Sequence, residues 1–136
     1  MGSVDFTDWV APDLELTLGG TIYTVAPPSV DQARLILALT VRSEIALGLT
    51  QMSVPDELAK ILEGHAGVPL GQITLAGAYD KLIKDNHPAV TIERMAFYAM
   101  HYWSRGKDRA DAIAKAMWEV THKPDGDDAS GEANSR

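Results

Sequence analysis

Residues 17–29 read TLGGTIYTVAPPS, and Asp13, Leu14, Glu15 and Leu16 just before them already alternate polar and apolar. Gly19 and Gly20 stand between two runs of strand-forming residues, and such a pair tolerates the positive φ that a type I′ hairpin turn demands. A two-residue turn sets the register. Leu18 then faces Thr21, Leu16 faces Tyr23 and Leu14 faces Val25. One face is apolar, built from Leu14, Leu16, Leu18, Tyr23 and Val25, while Glu15, Thr17, Ile22 and Thr24 take the other. A lone two-stranded hairpin is marginal in water, so either this face rests on helices or an edge is used by another chain.

Working outward, Pro27 and Pro28 stop the sheet, and Ser29 with Gln32 forms a capping box for a helix starting near Val30. Its stretch ARLILALTV, residues 33–41, is apolar on nearly every side, which predicts a central, enclosed helix ended by Gly48. Pro55, Asp56 and Glu57 start a second, short helix with Leu58, Ile61 and Leu62 as its apolar stripe. A third is predicted over 70–84, with Ile73, Leu75, Ala76, Tyr79, Leu82 and Ile83 available for burial, before Asn86, His87 and Pro88 break it. A fourth begins near Ala89, contains MAFYAMHYW (95–103) and closes at Gly106. The fifth, about 108–121, lines one side with Ala110, Ile113, Ala114, Met117 and Trp118. The expected architecture is mainly α: an N-terminal two-stranded β-hairpin packed on a bundle of about five helices. It forms a single domain over 1–122, followed at 123–136 by an acidic stretch without large apolar residues, expected to be a disordered tail.

The chain has 136 residues, no cysteine and a formal net charge of −7. That length supports a core without disulfide or metal staples, and the missing cysteines exclude thiol nucleophiles and cysteine-based metal sites. The acidic balance argues against a general nucleic-acid binder, which needs a basic stripe to displace phosphate counterions. No apolar run approaches the roughly 18–20 residues of a membrane span, and MGSVDFTDWV lacks the basic-then-apolar order of a signal peptide. A soluble, intracellular protein is expected.

Motifs for chemistry are sparse. His65, His87, His101 and His122 show no i, i+4 pair and no HExxH frame, and His101, amid aromatics, reads as a hydrogen-bonded structural histidine. Asp108 and Asp111 can share a helix face, but a helix start favours acids without catalysis. DGDDASGE lacks the alternating ligands of a calcium loop, and Gly19-Gly20 matches no phosphate-binding motif. Arg105, Lys107 and Arg109, beside Tyr102 and Trp103, form a basic patch that reads as a solvated helix end. Catalytic, cofactor and metal residues are therefore expected to be none. The aromatic run is more informative. Phe97, Tyr98, Tyr102 and Trp103 cannot share one face, because neighbours diverge by about 100° around a helix. These four are the candidate partner-binding residues, with intramolecular core as the competing reading.

Two segments resemble a known family. DLELTLGGTIYTVAPPS (13–29) is similar to the N-terminal signature of tail assembly chaperones, small proteins encoded just before the tape measure gene in long-tailed phages of actinobacteria. LGQITLAGAYDKLIKDNHPAVTIERMAFYAMHYWSRGKDRADAIAKAMW (70–118) resembles that family's leucine-glycine helix start, Tyr-Asp pair, aromatic helix, glycine break and alanine-rich helix ending in tryptophan. His87-Pro88 stands where the family often has Trp-Pro, and residues 49–69 show no match. The resemblance implies a non-enzymatic factor that binds the tape measure protein, helps recruit tail tube protein around it, and works in the cytoplasm of the infected bacterial host without entering the virion. Self-association is a further option, and neither membrane nor nucleic acid is an expected partner. A structural tail component, such as a connector or tube-end protein, and a small nucleic-acid-associated regulator are the alternatives.

Overall fold

The computed structural model describes residues 2–119, so the segment expected to be a tail, 123–136, lies outside the described residues. Strands β1 (Leu14–Leu18) and β2 (Thr21–Val25) form an antiparallel hairpin in which Leu14 pairs with Val25, Leu16 with Tyr23 and Leu18 with Thr21. Gly19 and Gly20 turn the chain at φ +59° and +86°, where an L side chain would be strained. Leu14, Tyr23 and Val25 are buried, with Leu16 and Leu18 half-buried against the same cluster. Burying each of the first three contributes roughly 1.5–3 kcal/mol, which offsets the marginal stability of an isolated hairpin.

Six α-helices follow among the described residues: α1 Val30–Ala46, α2 Asp56–Glu63, α3 Leu70–Thr74, α4 Gly77–Lys84, α5 Ala89–Arg105 and α6 Lys107–Ala114. The hairpin's apolar face rests on Leu75, Ala78 and Leu82 around α4 and on Ile92, Ala96 and Ala99 of α5. A second cluster joins Leu35, Ile36 and Leu39 of α1 to Ile73 and Met100. The central helix is thus α5, which touches α1, α3 and α6, and not α1 as its composition suggested. Helix α1 leaves Ala33, Leu37 and Ala46 exposed, because it packs on α5 and α2 along part of its circumference only.

Three local expectations change. The Ser29 hydroxyl accepts from the Gln32 N–H at 3.3 Å, but the Gln32 side chain donates to the Ile73 carbonyl instead of reaching back to the cap. The single helix expected over 70–84 is two, broken at Ala76, whose φ of +48° and ψ of −124° no helix accommodates. The break lets α3 lie on α5 while α4 turns to meet β2. It also leaves Ala76 and Ile83 exposed rather than buried. The fifth expected helix is α-helical only to Ala114 and continues as a π-helical turn over Lys115–Glu119, with Met117 and Trp118 half-buried.

Candidate functional site

Helix α5 presents its aromatics in two directions. Phe97 points to the α3 side and packs with the α1 cluster. Tyr98 points toward the hairpin and α6, donating to Asp111 at 2.5 Å. Burial, first, and that hydrogen bond hold its phenol well above the usual tyrosine range. Tyr102 stacks on Tyr98 with ring centroids 6.3 Å apart, and Trp103 meets Tyr102 edge-on at 5.0 Å. All four candidates are half-buried, and Tyr102 and Trp103 pack against the core. Phe97 and Tyr98 are the two that reach open grooves.

The largest of these grooves encloses about 610 Å³ between α3, α4 and α5. Leu70, Tyr79, Ile83, Ile92 and Phe97 supply its apolar lining, with Asn86, His87 and Glu93 as polar groups around it. Gly71 shapes one wall: a Cβ there would lie 2.4 and 2.6 Å from Cδ1 and Cε1 of Tyr79, so the ring sits where a side chain would be. Beyond Phe97 and Leu70, which border both, a second groove of about 360 Å³ runs between Leu39, Arg42, Ala46, Val68 and Met100. A third, about 320 Å³, lies under Leu16 and Leu18 beside Met95, Tyr98 and Trp118. Of the first groove's walls, only Phe97 stood among the sequence-derived candidates. The walls from α3 and α4 come from helices whose mutual placement depends on the break at Ala76, which no local signal announced.

Charged groups near the end of α5 are tied down. Glu44, buried on α1, accepts from Arg105 Nε and Nη2 at 3.1 and 2.9 Å, and Arg109 lies 3.5 Å away. The hydrogen bonds from Arg105 hold the Glu44 carboxyl below its ordinary range. Lys107 meets Asp111 at 2.6 Å. The basic patch expected as a solvated helix end is therefore matched by carboxylates, and Asp111 serves Tyr98 and Lys107 instead of forming a pair with the exposed Asp108.

The histidines divide. His65 Nδ1 contacts the Ile61 carbonyl at 2.9 Å, and His122 lies outside the described residues. His87 Nε2 is 2.7 Å from the Tyr23 hydroxyl, which also reaches Asp85 at 2.5 Å. His101 is fully buried against Phe97, with centroids 4.7 Å apart, and neither ring nitrogen has a partner. It is buried as a core residue is, but without the hydrogen bond its setting suggested. Among the described residues no group of three metal-ligating side chains comes together, and no helix is long and apolar enough to cross a membrane.

Residues 4–136 match the family described as Domain of unknown function (DUF7426), and the chain belongs to that family. Neither the curated proteins nor the solved structures give a match.

Proposed function

We propose that this member of a family of unknown function is a non-enzymatic tail assembly chaperone that holds an apolar helical segment of the tape measure protein and assists assembly of the tail tube around it. The observation that carries the reading is the open groove along α5, whose lining of Leu70, Tyr79, Ile83, Ile92 and Phe97 matches the apolar stripe of an amphipathic helix. The net charge of −7 supports it, since an acidic surface opposes aggregation of the loaded complex. Resemblance of residues 13–29 and 70–118 to tail assembly chaperones supplies the identity of the client.

The cluster most like a catalytic one, Tyr23 with Asp85 and His87, favours a mechanical role. The hydrogen bond to Asp85, then burial, pushes the Tyr23 phenol up to about 12, so it keeps its proton, whereas a base or nucleophile needs the reverse. Pairing of Arg105 and Arg109 with Glu44, and of Lys107 with Asp111, likewise weakens a nucleic-acid reading.

A structural tail role keeps one observation in its favour. Ile22 is 52% exposed on the hairpin face turned away from the helices, a surface that a ring of subunits can cover. Co-expression with the tape measure protein and mass spectrometry of purified virions separate the readings. A chaperone renders its client soluble and is missing from particles; a structural component is present in them.

A further inference from the structure

Residues 4–10 form an exposed arm that is nonetheless locally built. Asp5 accepts from the Thr7 N–H at 3.0 Å and its hydroxyl at 2.6 Å, and Thr7–Trp9 make one 3₁₀ turn. That turn sets Phe6 edge-on to Trp9, ring centroids 5.1 Å apart. Val4, Phe6, Trp9 and Val10 are 61–66% exposed, an unusual concentration of apolar surface on seven residues. The tether is short and stiff: Val10 is extended, Pro12 fixes its own φ and restricts Ala11, and Leu14 is already buried in the hairpin. Trp9 can stand at most about 17 Å from Leu14.

We propose that this arm docks in trans, seating Phe6 and Trp9 in the second groove of another copy of the chain, between Leu39, Ala46, Val68 and Phe97. Charge selects the occupant. Arg42 is exposed at that groove and has no carboxylate partner among the described residues. The arm's Asp8 is also exposed and has no ion-pair partner among the described residues. An apolar groove carrying a spare cation thus meets an apolar arm carrying a spare anion. The area also suffices. Four rings, each 61–66% exposed, lose roughly 400–650 Å² when exchanged reciprocally, and with a comparable amount from the groove walls the total reaches the lower part of the range of specific interfaces.

Sedimentation velocity of the full chain over micromolar to millimolar concentrations tests the proposal. The wild type is expected to dimerise, Trp9→Ala to weaken dimerisation at least about tenfold, and Asp8→Arg and Arg42→Glu each to weaken it, with the doubly reversed Asp8→Arg/Arg42→Glu chain recovering. All three positions are exposed, and circular dichroism checks that the fold is kept. A wild type that stays monomeric throughout, a dimer indifferent to Trp9→Ala, or a double reversal no better than either single change overturns it.

Discussion

Tyr23 of the hairpin and Asp85 after α4, 62 residues apart in the chain, are joined by a 2.5 Å hydrogen bond. Together with His87 on the same hydroxyl and Lys81 5.1 Å from the ring centre, this bond pins β2 to the α4–α5 turn that borders the large groove. The phenol is protonated in the folded protein up to about 12 against an ordinary 10.0. The unfolded chain therefore loses this proton first, and the stabilisation is complete below pH 10 and lost as the pH rises toward 12. Tyr23→Phe is expected to lower the urea midpoint at pH 7 with an unchanged slope, and to flatten the alkaline loss of stability.

His101 gives the opposite end of the pH axis. Burial, the largest influence, lowers its pKa below 6.5, with the nearby Glu44 carboxylate pulling the other way and Arg109 and Arg105 adding to the depression. A neutral folded histidine and an ordinary unfolded one mean that stability is complete above about pH 6.5 and falls as acid protonates the unfolded chain. His101→Leu removes two buried nitrogens without partners and is expected to gain about 1 kcal/mol at neutral pH, and more at pH 5. Denaturation at both pH values checks the sign.

Ala76 holds a backbone conformation that costs an L-residue of order 1–3 kcal/mol. Ala76→Gly is expected to raise stability by about 1 kcal/mol after the added chain entropy of glycine is counted, a rise of a few degrees in Tm by calorimetry. An unchanged or lower Tm removes strain at this break from the account.

The hairpin was legible because its signals are local: period-two alternation, two glycines, two prolines. Ser29 and Gly48 bounded α1 for the same reason, through side-chain capping and a positive φ. The stretch 70–84 misled because its residues are individually good helix formers. The break at Ala76 is imposed by packing α3 on α5 and α4 on β2, contacts invisible to local propensity. The Glu44–Arg105 pair was hidden similarly, since 61 residues separate its two charges. For the site, helical geometry alone separated Phe97 from Tyr98. The walls supplied by Leu70, Tyr79 and Ile83 needed the three-dimensional arrangement.

The central claim is that the groove beside Phe97 holds an apolar client helix, and Ile83 offers the cleanest handle on it: it lines the groove yet is 51% exposed, so charging it leaves the core intact. The decisive measurement is the soluble fraction of the tape measure protein when co-expressed with wild-type chain, with Ile83→Asp, and alone. The account predicts a soluble client with the wild type and a loss of at least about tenfold with a folded Ile83→Asp variant. A client equally insoluble with and without the wild-type chain, or equally soluble with either form, would contradict it.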